Sequence, residues 1–352
     1  MKIQDVDKNF KQEEVALTTK NKTFQIPCEP FELYGVYFDK ETDRFVRMPT
    51  NIAEQVNENV KILHSNTAGG RLRFSTDSKT ITLQVTWPEI ALGNRMPISG
   101  HSGFLIQEET PGEPEEFKLF CPDFESHTGF TASVNLKGEK LRNYILWFPL
   151  YNDVSSLTIS LDQDAQVAAG LPHCEQLPIL YYGSSITQGG CASRPDNCYQ
   201  GHIYRWSNVD FINLGFSAGA LGEQIMAEYV ASVPCSIFVC DYDHNAPTAQ
   251  HLENTHYDFY KTYRTKNPAT PIIFMTSPDF VFRDIKRVEA IRSTYLRAKE
   301  DGDANVYFID GRELFGDQDA GRCTVDGTHP NDLGFYRMAK KLYELIEPLL
   351  QV

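Results

Sequence analysis

The chain has 352 residues, more than a single hydrophobic core usually covers, so two domains are the first expectation. A hydrophobic fraction of 41% and a charged fraction of 23% are typical of folded globular proteins. The net charge of −14 argues against nucleic acids and anionic membranes as partners, because both would require a basic face. No apolar run reaches roughly 18 residues and the first residues lack the apolar core of a signal peptide, so we expect a cytoplasmic protein.

Up to about residue 162, apolar and polar residues alternate. The apolar members are Ile81, Leu83, Val85 and Trp87 in one run and Leu157, Ile159 and Leu161 in another. A period of two predicts strands with one buried and one wet face, as in an antiparallel β-sandwich. We therefore expect a jelly-roll-like sandwich domain over residues 1–165, with a short helix within residues 52–60. Residues 162–178 have the composition of a linker.

From residue 177 to the end the period changes. Short apolar runs alternate with segments of helical spacing; the runs are Ile179–Tyr182, Phe211–Leu214, Ile237–Cys240, Ile272–Met275 and Val306–Ile309. This alternation predicts an α/β domain over residues 177–352, with a doubly wound, parallel, five-stranded sheet in three layers, as in flavodoxin. The last helix is expected at residues 332–350, because one stripe of it is apolar.

The eight cysteines form no Cys-x-x-Cys pair. Cys191 and Cys198 could form a regulatory disulfide, but two inert thiols are favoured in a reducing compartment. Cys235 and Cys240 are expected to be buried.

Polar residues follow each of the five apolar runs. They are Ser184 and Ser185, then Ser217, Ala218 and Gly219, then Asp241, Asp243, His244 and Asn245, then Pro278 and Asp279, and finally Asp326 and His329. Ligands of open parallel sheets bind beyond the carboxyl ends of the strands, so we expect these residues to share one edge. A serine nucleophile needs a base, and the base works best when a carboxylate orients it. Ser185, His329 and Asp326 supply these three groups.

The segment Gly183-Ser184-Ser185-Ile186-Thr187-Gln188-Gly189 and the pair Asp326-x-x-His329 resemble the first and last blocks of the SGNH, or GDSL-type, hydrolases, with Ser184 in place of an aspartate. In the second block Ala218 occupies the glycine position, followed by Gly219, and Asn245 is the only trace of the third block. The N-terminal half, through Gly103-Phe104 and its strand pattern, resembles the β-sandwich that precedes the hydrolase domain in a subgroup of these enzymes. Members of this subgroup are mostly bacterial esterases that often deacylate carbohydrates.

The resemblance implies a serine esterase that removes short acyl groups, most plausibly acetyl, from a sugar or similar polyol. Ser185 would attack the ester, His329 would act as the base and Asp326 would orient it, while the N–H groups of Ser185 and Ala218 and the amide of Asn245 would hold the oxyanion. Alanine in place of glycine at position 218 is expected to cost little if its φ is negative. Substrate contacts are expected from Arg194, Asp243, His244 and Gly219. The expected partner is a small-molecule or oligosaccharide ester, with no metal, no organic cofactor, no nucleic acid and no membrane; a homo-oligomer is allowed.

Four other interpretations remain open. Each block alone could be a helix-capping loop. Gly215-Phe216-Ser217-Ala218-Gly219 matches the nucleophile elbow of α/β-hydrolases, with Ser217 as the nucleophile. Three histidines and two aspartates, His244, His251, His256, Asp241 and Asp243, could bind a metal, although their spacing fits no standard pattern and surface histidines are favoured for His251 and His256. Finally, the chain could bind carbohydrate without turning it over.

Overall fold

The computed structural model describes residues 6–7, 21–88, 93–112, 115–278, 281 and 284–350, and every structural statement below concerns these residues. Asp279, predicted at the edge of the sheet, lies outside them. None of the described helices combines the length and the apolar composition needed to cross a membrane.

The described N-terminal part contains two large antiparallel sheets, one two-stranded antiparallel sheet formed by Tyr37–Asp39 and Arg44–Val46, and three short helices. Its strands are β1 (Asn21–Ile26), β2 (Glu32–Tyr34), β3 (Tyr37–Asp39), β4 (Arg44–Val46), β5 (Arg71–Thr76), β6 (Thr80–Thr86), β7 (Phe104–Glu108), β8 (Phe117–Phe120), β9 (Gly129–Asn135), β10 (Arg142–Trp147), β11 (Ser156–Asp162) and β12 (Val167–Ala168). Its helices are α1 (Thr50–Val56), α2 (Glu58–Leu63) and α3 (Ile98–His101). One sheet has the order β1-β11-β6-β9 and the other β12-β5-β10-β7-β8, with β2 also paired to β5.

The two sheets form the predicted sandwich. Leu83 of β6 and Leu157 and Ile159 of β11 are buried between the sheets, as their alternation indicated. Strand β5 differs, because both of its faces are buried. Phe74 packs inside the sandwich, while Arg71 faces the C-terminal part of the chain, where its guanidinium lies 3.7 Å from the Phe211 ring centroid.

Two local predictions need correction. The single helix expected within residues 52–60 is divided into α1 and α2, because Asn57 is extended, with φ −164°, and its Oδ1 accepts a hydrogen bond from Val60 N–H. The predicted linker, residues 162–178, contains strand β12, which pairs with Ser75 and Thr76 of β5.

The C-terminal part confirms the predicted parallel sheet. Its strands are β13 (Ile179–Gly183), β14 (Phe211–Gly215), β15 (Ile237–Asp241), β16 (Ile272–Met275) and β17 (Val306–Ile309), and its helices are α4 (Ser185–Gln188), α5 (Tyr199–Ser207), α6 (Gln224–Ser232), α7 (Ala249–Lys266), α8 (Ile285–Glu300) and α9 (Asp332–Leu350). The strand order is β14-β13-β15-β16-β17, with every pair parallel.

The helices cover both faces of this sheet and complete the three layers. On one face, Tyr181 and Val239 pack with Ile203 of α5 and Phe335 of α9. This cluster also contains Trp147 of the sandwich, so the two parts share a core. On the other face, a second cluster joins the sheet to α6, α7 and α8; its members include Leu180, Phe238, Met226, Leu252 and Ile291. Arg47, which follows strand β4, donates to the carbonyl oxygens of Asn213 and Gly215, so the carboxyl end of β14 lies against the N-terminal part.

Candidate active site

Ser185 is the first residue of helix α4, immediately after strand β13. Ser184 precedes the helix and caps it, since its Oγ accepts a hydrogen bond of 3.2 Å from Ile186 N–H. Gly183 is required at the turn, because a Cβ there would lie 2.1 Å from Thr187 Oγ1 and 2.3 Å from the Asp241 carbonyl oxygen. The serine that stands where the resemblance calls for an aspartate thus performs the capping itself.

The side chains of Ser185, His329 and Asp326 form a continuous hydrogen-bond chain. Ser185 Oγ lies 2.9 Å from His329 Nε2, and His329 Nδ1 lies 2.9 Å from Asp326 Oδ2. The other oxygen of Asp326 accepts from the backbone N–H groups of His329, at 2.8 Å, and Thr328, at 3.1 Å. Ser185 and His329 are 144 positions apart in the chain. The geometry is that of a nucleophile, a base and an orienting carboxylate.

Asp326 is held as a carboxylate. Partial burial alone would raise its pKa, but hydrogen bonds from the backbone and the imidazole of His329 outweigh this effect and lower the pKa to about 2. Arg95, from the N-terminal part, adds an ion pair of 3.2 Å to Oδ2. The imidazole therefore faces an ionised acceptor at every pH at which the protein is expected to work.

Three hydrogen-bond donors near Ser185 have no acceptor among the described residues. They are the backbone N–H groups of Ser185 and Ala218 and the side-chain amide nitrogen of Asn245. The neighbouring N–H groups are occupied: Ser217 donates to Gln188 Oε1 at 2.9 Å and Ala220 donates to Asn245 Oδ1 at 3.4 Å. The contact from Ala220 fixes the oxygen of the Asn245 amide and leaves its nitrogen as the group available to a ligand. These are the donors predicted for an oxyanion hole.

The backbone at Ala218 departs from the sequence-based expectation. Its φ is +54°, in the left-handed region, whereas the prediction that alanine costs little here assumed a negative φ. Left-handed backbone costs an L-residue about 1–2 kcal/mol relative to glycine. Alanine therefore occupies, under strain, a backbone conformation that glycine adopts freely.

Two cavities adjoin the hydrogen-bonded side chains of Ser185, His329 and Asp326. A cavity of about 190 Å³ is lined mainly by polar residues, among them Asp243, His244, Ser277, Arg287 and Thr328. A second cavity, of about 310 Å³, includes His329 itself and is more apolar; its other lining residues include Met96, His101, Tyr151, Cys191 and Ser217. Three of these come from the N-terminal part, so both parts of the chain contribute to the site.

The residues predicted to contact substrate divide into two groups. Asp243 and His244 line the polar cavity, and the His244 ring centroid lies 6.5 Å from that of His329. Arg194 lines neither cavity: its Nη2 binds Asp196 and Asn197. Gly219 also lines neither cavity, because its backbone packs against helix α2. For these last two residues, contact with the substrate stays a prediction.

Two acidic side chains are buried beneath the site. Asp241 ends strand β15, accepts from Thr187 Oγ1 at 3.1 Å and has no partner for Oδ1 among the described residues. Asp243 accepts from the N–H and the hydroxyl of Ser277. Burial is the main cause that raises both pKa values, well above the ordinary range for Asp241 and to about 6 for Asp243, and the neighbouring carboxyl raises that of Asp241 further. Burial therefore favours the protonated form of Asp241 in the folded protein.

The alternative sites find little support. The hydroxyl of Ser217 lies beside the Tyr151 phenol, whereas His329 Nε2 is engaged by Ser185. In the described part of the chain, no group of three or more His, Cys, Asp or Glu side chains could hold a metal. The prediction that His256 lies on a helix surface is wrong: it is 2% exposed, packed against Tyr242 and Phe274, and burial lowers its pKa to about 3. All eight cysteines are free, including Cys191 and Cys198.

Three contacts made by the N-terminal part were not predictable from the sequence. Tyr151 donates from its hydroxyl to the Ser185 carbonyl oxygen at 3.1 Å, Arg95 binds Asp326, and Asn59 binds the Ala218 carbonyl oxygen. All three come from outside the sheet strands, in segments without a recognisable motif. Only the three-dimensional packing reveals them.

Two family models match consecutive parts of the chain. Residues 176–347 match the GDSL-like Lipase/Acylhydrolase family, and residues 24–167 match the family described as the N-terminus of Esterase_SGNH_hydro-type. None of the curated proteins matches the chain.

Several solved structures share the whole arrangement of two parts. A protein from Bacteroides ovatus ATCC 8483 described as a GDSL-like lipase is 29% identical, with a TM-score of 0.83 over 94% of this chain and 98% of its own. SsfX3, a salicylyl-acyltransferase from a tetracycline biosynthetic pathway, is 17% identical, with a TM-score of 0.77 over 94% and 98% of the two chains. Est2A, an acetyl xylan esterase from the rumen bacterium Butyrivibrio proteoclasticus, is 13% identical, with a TM-score of 0.57 over 94% and 99%. The last two similarities concern the fold.

Proposed function

Because the chain belongs to the GDSL-like lipase/acylhydrolase family and is a carboxylic ester hydrolase, we propose that it is a serine esterase with Ser185 as its nucleophile. The observation that carries the proposal is the hydrogen-bond chain from Ser185 Oγ through the His329 imidazole to Asp326. A serine hydroxyl becomes an effective nucleophile when such a base can take its proton.

The proposed reaction uses the hydrogen-bond donors and acceptors of this site. Ser185 Oγ attacks the ester carbonyl carbon while His329 Nε2 takes its proton, and Asp326 stabilises the imidazolium that forms. Negative charge develops on the carbonyl oxygen, where the N–H groups of Ser185 and Ala218 and the amide of Asn245 can donate. The imidazolium then protonates the leaving alcohol, and water repeats the sequence on the acyl-enzyme.

The polar cavity supports a polyol as the alcohol part of the substrate. Sugar hydroxyls need several hydrogen-bonding partners, and Ser277, Thr328 and His244 line this cavity. Est2A, which has the same fold, is an acetyl xylan esterase. Acetyl and other short acyl esters of carbohydrates are therefore the substrates that we propose.

Substitution of the proposed nucleophile and base tests the function. We expect hydrolysis of p-nitrophenyl acetate and of an acetylated xylo-oligosaccharide by the wild type, and a loss of at least about 10³-fold in kcat in Ser185→Ala and in His329→Ala. Ser217→Ala is the matched serine control, and we expect it to retain most activity. Equal rates in wild type and both triad variants would refute the esterase and favour a protein that binds carbohydrate without turnover. A Ser217→Ala variant that folds but is inactive would favour the elbow serine.

A further inference from the structure

The loop after strand β14 holds Ala218 in a conformation that the residue does not favour by itself. Its φ is +54°, and the residue is exposed, so core packing does not impose this backbone. A left-handed alanine relaxes to negative φ unless other contacts prevent it. Rotation about φ would turn the Ser217–Ala218 peptide and redirect the N–H of Ala218, which is one of the three proposed oxyanion donors.

The contacts that hold this loop come from both sides. On the catalytic side, Gln188 Oε1 accepts from Ser217 N–H at 2.9 Å. On the other side, Asn59 Nδ2 donates to the Ala218 carbonyl oxygen at 3.0 Å and Asn57 Nδ2 donates to the Gly219 carbonyl oxygen at 2.9 Å. The Phe216–Ser217 peptide and the two peptides that follow Ala218 are therefore each anchored by a side-chain amide.

Helix α2 of the N-terminal part lies directly against the loop. A Cβ at Gly219 would be 3.1 Å from Asn59 Cβ and 3.3 Å from Val60 N, so the two backbones approach as closely as glycine allows. Asn57 also caps this helix and donates to Glu223, which makes it a structural residue as well. In the described part of the chain, the Asn59 side chain makes one hydrogen bond, to the loop, and is otherwise exposed.

We propose that Asn59 is a positioning residue for catalysis: by binding the Ala218 carbonyl oxygen, it keeps the Ala218 N–H directed at the developing oxyanion. The N-terminal part thereby completes the oxyanion hole of the other domain, in addition to forming a wall of the apolar cavity. The proposal rests on the proposed esterase function. It concerns an interaction that matters in the transition state, when the carbonyl oxygen becomes negative, and much less in substrate binding.

Three variants of Asn59 separate positioning from a merely structural role. Asn59→Ala and Asn59→Asp both remove the donor, whereas Asn59→Gln keeps an amide. We expect kcat for p-nitrophenyl acetate to fall about 10-fold or more in the first two, with KM within about twofold of wild type, and a smaller loss in Asn59→Gln. An arylboronic acid, whose tetrahedral adduct mimics the intermediate, should lose affinity in parallel with kcat. Lys61→Gln, on the same helix and exposed, is the matched control and should behave as wild type.

These measurements test the positioning role of Asn59 separately from the esterase function on which it rests. Activity that survives Ser185→Ala would remove the esterase proposal itself. If Ser185→Ala is inactive but Asn59→Ala and Asn59→Asp keep the wild-type kcat and boronate affinity, only the positioning role is overturned. A loss that appears in KM alone, or that follows a drop in melting temperature shared by Asn59→Gln, would also contradict it.

Discussion

The substitution Asp326→Asn should almost abolish activity while leaving the shape of the site unchanged. In the wild type, Oδ1 accepts from two backbone N–H groups and Oδ2 accepts from His329 Nδ1–H. An asparagine must place its oxygen toward the two backbone donors, so its NH₂ group faces the imidazole. His329 then carries its proton on Nε2, where it can no longer accept the proton of Ser185 Oγ.

The Asp326→Asn substitution should lower both kcat and the stability of the fold. Fixing the wrong tautomer in a Ser-His-Asp site lowers kcat by about 10⁴-fold, which corresponds to about 5.5 kcal/mol. The pKa of Asp326 falls from 3.8 to about 2 in the folded protein. This shift corresponds to at most about 2 kcal/mol in the free energy of unfolding. It is an upper bound because the side chain is 14% exposed and solvent weakens its contacts. A lowered carboxyl pKa stabilises the fold above pH 3.8, and this contribution is lost as the pH falls through about 2.

The assay is kcat for p-nitrophenyl acetate at pH 7.5, together with urea unfolding at the same pH. Asp319→Asn is the matched control: this aspartate lies in the same connection, its side chain is 65% exposed, and it contacts no catalytic residue. A kcat of Asp326→Asn within about tenfold of wild type would contradict this role of Asp326. An equal loss of kcat in the Asp319→Asn control would contradict it as well.

Three further predictions follow from the strained and buried residues. Ala218→Gly should raise the free energy of unfolding by about 1 kcal/mol in urea melts, because glycine accepts a φ of +54°; a decrease would show that the backbone is not strained. Asp241→Asn should become more stable relative to wild type as the pH rises above 3.8, because the raised pKa of Asp241 makes the folded protein keep a proton that the unfolded chain has lost; a stability difference that does not change with pH would contradict this. Finally, the ionisation of Asp326 should add no limb to the pH profile of kcat/KM between pH 4 and 9, because the pKa of this carboxyl is about 2; an acidic limb in this range that Asp326→Asn removes would contradict this.

The C-terminal domain was predictable because its strands are buried on both faces. A run such as Ile237–Cys240 is continuously apolar, which is the pattern of a central parallel strand, and all five predicted runs are strands in the structure. The last helix was predictable for a related reason, since its apolar stripe includes Phe335 and Met338, both fully buried. Once the strands are known, the sheet edge that gathers Ser185, Asp326 and His329 follows from topology.

The contribution of the N-terminal domain to the site was not predictable. Asn59 and Ala218 are 159 positions apart, and neither lies in a periodic pattern that would indicate contact. The positive φ of Ala218 runs against the preference of alanine, so the sequence alone predicts the opposite sign. His256 illustrates the same limit, because a histidine at a helical position gives no sign in the sequence of whether it faces solvent or, as here, two aromatic rings.

The most direct measurement of the central proposal is covalent trapping with diethyl p-nitrophenyl phosphate, followed by intact mass and peptide mapping. If Ser185 is the nucleophile, we expect a single diethylphosphoryl adduct on Ser185. It should form in step with the loss of activity and be absent from Ser185→Ala and His329→Ala. An adduct on Ser217, or complete inactivation with Ser185 unmodified, would contradict it.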